Sequence, residues 1–200
     1  MAELRDELLF KQPEGSCYGD CPICSLPLPL DMKKSNMYTC CSKLICNGCV
    51  IANAKRAREL RIGNTCPFCR EPLPRTEEEN VKRRMKRVEM NDPVAIREEG
   101  RAQLDKRDFS RAFKYWSKAA ALGDTEAHHY LAMLYNEGLG VEKDELKYIY
   151  HAEEAAIGGH PRARYILGCA ERNCNDNVER AMKHFFISSK QGDDLSIKAL

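Results

Sequence analysis

Apolar positions recur at helical spacing through the second half of the chain, and they do so three times. DFSRAFKYWSKAAALGD at 108–124 lines up with DELKYIYHAEEAAIGGH at 144–160, 36 residues on, and with NVERAMKHFFISSKQGD at 177–193, 33 further. The pieces between also align, AHHYLAMLY from Ala127 with ARYILGCAE from Ala163. A period in this range, with glycines at the joints, predicts stacked helical hairpins: one helix through Ala-x3-Leu and a second ending at Ala-Ala-x2-Gly. Ala119, Ala120, Ala155 and Ala156 predict close helix packing, and Gly123, Gly159 and Gly192 fit the left-handed position after a helix. The series Tyr115, Trp116, Tyr130, Tyr135, Tyr148, Tyr150 and Tyr165 is read as packing between these helices, not as a ligand cage.

Upstream the pattern changes. PLPRTEEENVKRRMKRVEMNDP is strongly charged, and Thr76 with Glu79 reads as a capping box. The segment predicts a connecting helix over 76–90, about 22 Å long. Its KRRMKR run lacks interleaved aromatics, so it is read as a solvated helical face and not a nucleic-acid platform. A further helix is expected to begin near Cys46 and run through VIANAKRAREL, with Ile51, Ala54 and Ala57 at helical spacing. The opening MAELRDELLFKQPEG holds only the short apolar run LLF, with no signal-peptide core, and nothing later approaches a membrane span. These features lead us to expect a cytoplasmic or nuclear protein. A net charge of +2 does not argue for nucleic acid.

In such a reducing compartment, eleven cysteines point to metal before disulfides. Nine lie within the first 69 residues. Cys21 and Cys24, Cys46 and Cys49, and Cys66 and Cys69 form three Cys-x2-Cys knuckles, each able to aim two thiolates at a tetrahedral zinc ion. Two closed sites need eight ligands, and the first histidine is His128, so Cys40 and Cys41 are the expected remaining pair. Cys17 is left as an unliganded thiol, or a substitute ligand. His128 with His129, and Cys169 with Cys174, lack a convergent spacing. A zinc module of about fifty residues buries too little apolar area to fold alone, so two zinc ions would supply its folding energy.

The order of these pairs resembles a RING finger in an all-cysteine version, over residues 17–75. The resemblance implies interleaved ligation, with Cys21, Cys24, Cys46 and Cys49 on one zinc and Cys40, Cys41, Cys66 and Cys69 on the other. It implies a ubiquitin ligase that docks a ubiquitin-conjugating enzyme without a covalent intermediate. Ile23, Ile51 and Pro67 would line the docking groove, and Arg70 would be the basic linchpin that bridges the conjugating enzyme and ubiquitin. Two departures stand out: Cys40 and Cys41 are adjacent, and Asn53 stands where active members often carry a large apolar residue.

NEGLGVEKDELK, with Gly138, Gly140, Val141, Asp144 and Lys147, followed by Ala155, Ala156 and Gly159, resembles a Sel-1-like repeat, a relative of the tetratricopeptide repeat. This resemblance covers residues 92–200, the last unit departing with NCNDN and Ser188-Ser189. The expected organisation is an N-terminal tail at 1–16, a small zinc-stabilised α+β RING module at 17–75, a charged helical linker at 76–91 and an all-α solenoid at 92–200. The leading expectation is a RING-type ubiquitin ligase whose repeats recruit a protein substrate or adaptor. The alternative is a non-catalytic zinc-binding interaction scaffold. Neither a membrane nor a nucleic-acid partner is expected.

Overall fold

The computed structural model describes residues 2–13, 15–173 and 176–200. Helix α1 spans Ala2–Phe10. A 3₁₀ turn at Met32–Lys34 leads into a hairpin of β1, Ser35–Tyr38, and β2, Lys43–Cys46, followed by α2 at Asn47–Glu59. Next come α3 at Glu77–Glu89, α4 at Pro93–Asp105, α5 at Phe109–Ala121, α6 at Thr125–Glu137, α7 at Glu145–Ile157, α8 at Pro161–Asn173, α9 at Val178–Lys190 and the short α10 at Asp194–Ala199. No helix among the described residues is long and apolar enough to cross a membrane.

Helices α4 to α9 pack as three successive antiparallel pairs, α4 with α5, α6 with α7 and α8 with α9. Side-chain caps start nearly all of them: Asp92, Asp108, Asp124, Asp144 and Asn177 each accept a backbone N–H of the first turn. At the joints Gly123, Gly159 and Gly192 are left-handed, with φ of 86°, 86° and 90°. In each pair the eighth residues of the two helices face each other. Gly100 meets Trp116 and Gly168 meets Phe185; the corresponding residues of the middle pair are Ala132 and Ala152, both fully buried. Trp116 in turn stacks on Tyr130, centroids 4.5 Å apart, and Tyr165 lies against Phe185 at 5.8 Å. In the last pair Ser188, in the place of an alanine, is buried by donating to the Pro161 carbonyl at 2.7 Å.

Within the stretch expected as a tail, residues 2–10 form a docked helix. Helix α1 lies on α7 and α9. Its Leu9 is 1% exposed and belongs to the buried cluster of Ala132, Ala152, Ala155, Ala156, Ala163 and Leu167. The short LLF run is thus the apolar edge of a docked helix, whose partners lie some 150 residues away in sequence.

Helix α3 starts with Thr76 Oγ1 accepting from Glu79 N at 3.2 Å, while Glu79 accepts from Arg75 N at 2.9 Å. The basic run that follows is engaged within the chain: Arg83 pairs with Glu79, Arg84 with Glu99 at 2.8 Å, and Arg87 with Asp92.

Candidate functional site

Four cysteine pairs converge on two places. The Sγ atoms of Cys21, Cys24, Cys46 and Cys49 lie within 4.8 Å of one another, and so do those of Cys40, Cys41, Cys66 and Cys69. Where individual separations are resolved, Cys24 to Cys46 is 3.8 Å, Cys41 to Cys66 3.8 Å and Cys40 to Cys69 3.3 Å. A disulfide needs about 2 Å. Four thiolates around one tetrahedral ion at about 2.3 Å stand roughly 3.8 Å apart. The donor set and its spacing therefore fit a metal ion in each tetrad, the all-sulfur set suiting a borderline-soft ion such as zinc.

Local backbone explains how each pair is aimed. In the first knuckle Ser25 N donates to Cys21 O at 2.9 Å, with Ser25 left-handed at φ 57°. The third Cys-x2-Cys repeats the device: Arg70 N donates to Cys66 O at 3.0 Å, with Arg70 at φ 67°. Cys46 and Cys49 are placed differently, at the end of β2 and in the first turn of α2. Cys40 and Cys41 sit in the four-residue turn between β1 and β2. There Cys41 N and Ser42 N both donate to Tyr38 O, and Ser42 is left-handed at φ 54°. That turn resolves the difficulty of adjacent ligands, because both cysteines lie on a tight bend.

Cys21, Leu28 and Ile45 form the module's buried apolar cluster, with Tyr18, Tyr38, Leu44 and Val50 partly buried against it. So small a cluster stabilises little, so metal binding would carry most of the folding energy there. Cys17 belongs to neither tetrad. It lies on the repeat side, where burial, aided by Glu126, pushes its thiol up to about 12. Cys174 lies outside the described residues.

Of the expected groove residues, Ile23 is 44% and Ile51 67% exposed. Pro67 is buried. The third knuckle is flanked on one side by Asn53 Nδ2 donating to Thr65 O at 3.1 Å and on the other by Arg83 donating to Pro72 O at 2.5 Å. The exposed apolar residue of that knuckle is Phe68, at the position equivalent to Ile23 and likewise 44% exposed. Sequence reasoning missed it; the repeated Cys-Pro-x-Cys pattern was the available signal. Arg70 is exposed and donates to Asn53.

The module lies along the edge where α4, α6 and α8 begin. A cleft of ≈ 440 Å³ separates Cys17, Tyr18 and Asp20 from Arg97, Glu126 and His160. Arg97 is buried between Asp124, 2.9 Å away, and Glu126 at 3.4 Å. Burial raises both carboxyls, while the arginine charge opposes the shift.

The Sel1 repeat family model matches residues 96–124 and 125–160, which are the α4–α5 and α6–α7 hairpins with their joints. The chain carries Sel1 repeats. A Sel1 repeat protein from Oxalobacter formigenes superposes with a TM-score of 0.59 at 25% identity, over 64% of this chain and 55% of that one. A protective antigen present in uropathogenic Escherichia coli strains superposes with a TM-score of 0.55 at 24% identity, over 60% of this chain and 27% of that one. This chain thus spans about half the length of the first of these and about a quarter of the second. Helices α8 and α9, beyond the matched residues, continue the helical stack in the same arrangement.

Proposed function

We infer that the protein is a non-catalytic interaction scaffold, in which Sel1 hairpins carry a metal-stabilised cysteine module along one edge. The observation that carries this reading is the pair of matched Sel1 repeats inside a continuous helical stack, since Sel1 repeats generally mediate protein–protein interaction. The module adds a second surface. Ile23, Ile51 and Phe68 are exposed on it, and large exposed apolar residues gathered on a small module mark contact sites.

A second reading, RING-type ubiquitin ligase, is favoured by one specific arrangement: the first and third cysteine pairs share one tetrad and the second and fourth share the other. In this reading Ile23, Ile51 and Phe68 dock a ubiquitin-conjugating enzyme, and Arg70 restrains its ubiquitin. The buried Pro67 and the polar Asn53 weigh against strong docking. Discharge of ubiquitin from a broad panel of charged conjugating enzymes by the zinc-loaded chain separates the two. The scaffold reading expects no acceleration. Acceleration that is lost in Ile23→Asp, with zinc content unchanged, would replace it with the ligase reading.

A further inference from the structure

The contacts of α1 outline a binding groove that belongs to the repeats. Arg5 donates to Glu153 at 2.8 Å and Glu154 at 3.2 Å, and Asp6 accepts from both terminal nitrogens of Arg180. Leu9 enters the alanine-lined cluster, and the Phe10 ring lies 4.7 Å from His184 with the Arg180 guanidinium 4.9 Å from its centre. At the C-terminal end of α1, Arg164 donates to the Leu9 carbonyl and, at 3.1 Å, to the Lys11 carbonyl. A guanidinium suits that place because the helix end is partially negative.

What α1 leaves unmet is as informative. Arg164 and His184 are each 1% exposed, yet Arg164 Nε and both ring nitrogens of His184 have no hydrogen-bond partner among the described residues. No salt bridge of the described residues reaches Arg164, so a buried positive charge faces only neutral carbonyls. Burial accordingly pulls its guanidinium down to about 10. A buried charge without a counter-ion is a costly arrangement that a ligand carboxylate would relieve. The occupant buries little apolar surface: Leu4 and Leu8 are exposed, and Leu9 is the one fully buried side chain among residues 4–10. Segments with few buried contacts open most readily.

We propose that the groove of α7, α8 and α9 docks a short amphipathic helix of a partner protein whose last residue presents a carboxylate, and that α1 occupies it in the resting chain. The helical form is set by what α1 already matches: the Glu153–Glu154 and Arg180 charges, the Leu9 hole and the Phe10 contact. The carboxylate is set by Arg164, a buried cation that meets the end of α1 through two neutral carbonyls and keeps Nε without a partner among the described residues. The proposal rests on the scaffold reading and names the partner class for one of its faces. Ubiquitin discharge does not involve this groove, so failure here leaves that separate test undisturbed.

The test uses fluorescent peptides of residues 2–10, stapled through the outward positions 4 and 8, one with a free C-terminal carboxylate and one amidated. Each is titrated by anisotropy into the full chain and into the full chain carrying Leu9→Ala and Phe10→Ala, which loosens α1. The free-acid peptide should bind the loosened chain about tenfold tighter than the amide, and about tenfold tighter than it binds the unaltered chain. Arg164→Met should erase the preference for the acid while leaving amide binding within about twofold. Equal affinities for acid and amide in the loosened chain overturn the proposal, and that comparison does not depend on any Arg164 variant folding. No gain from loosening α1, or no binding of either peptide, also overturns it.

Discussion

Arg70 Nη1 donates to Asn53 Oδ1 at 3.4 Å, so the arginine after the last knuckle is laid over the polar residue of α2 that the ligase reading would have apolar. Asn53 is also held by Thr65 O through Nδ2. One long, exposed hydrogen bond is worth at most about 1 kcal/mol, so Arg70 can leave it readily. If a conjugating enzyme docks here, Asn53→Leu should tighten binding by roughly 1 kcal/mol through added apolar contact. Arg70→Ala should then slow discharge more than it weakens docking, with Arg70→Lys recovering only part, because a point charge lacks the planar fork. Calorimetry and single-turnover discharge measure the two. Neither binding nor discharge in wild type or Asn53→Leu would end the ligase reading.

The second tetrad makes a sharper claim about metal. Cys41→Ser should lower zinc from two ions per chain to one, while Cys17→Ser, which changes a thiol beside Glu126, should leave two. Inductively coupled plasma mass spectrometry on desalted protein decides this. A structural site contributes on the order of 10 kcal/mol, so full chelation should unfold residues 17–75. Most helical circular dichroism should survive, because each Sel1 hairpin packs on its neighbours and not on the module's small core.

The cysteine tetrads and the helical hairpins were legible because both are written in spacing: Cys-x2-Cys fixes two ligands locally, and a period near 34 residues fixes the stack. The role of α1 was not legible. Its complement, Glu153, Arg164 and Arg180, lies on three different helices, and only folding brings those charges to Arg5, Asp6 and the Leu9 carbonyl. Pro67 misled locally. Its knuckle is flanked by contacts from α2 and α3, and Phe68, not the proline, is exposed there.

The paired eighth positions of the hairpins predict a stability pattern. A Cβ at Gly100 would fall 2.5 Å from Trp116 Nε1, and one at Gly168 would fall 2.6 Å from the Phe185 ring. Both rings are fully buried and cannot retreat. Alanine normally stabilises a helix by about 1 kcal/mol over glycine. Here Gly100→Ala and Gly168→Ala should each destabilise by about 1–3 kcal/mol through overpacking. Thermal denaturation that shows either variant more stable than wild type would refute the packing described.

Acid should loosen the Sel1 stack before it titrates ordinary carboxylates. Burial pushes His129, His151 and His184 down to about 4 and His160 well below its usual value. His160 Nδ1 also accepts the Ala163 N–H at 3.2 Å, a lone pair that protonation there would remove. Because the folded pKa values are depressed, the unfolded chain binds more protons from about pH 6.5 downward, and stability falls as pH drops through that window toward 4. Each depressed unit corresponds to at most about 1.4 kcal/mol per histidine. Asp124 and Glu126, raised by burial, act in the opposite sense, but only where carboxylates titrate. The melting temperature should therefore fall between pH 7.5 and 5.5, with the same slope in chelated protein, which excludes metal release as the cause. His160→Asn, which keeps an acceptor for Ala163 N–H but does not titrate, should flatten part of the slope. A melting temperature constant across this range would show that these imidazoles are not held neutral by burial.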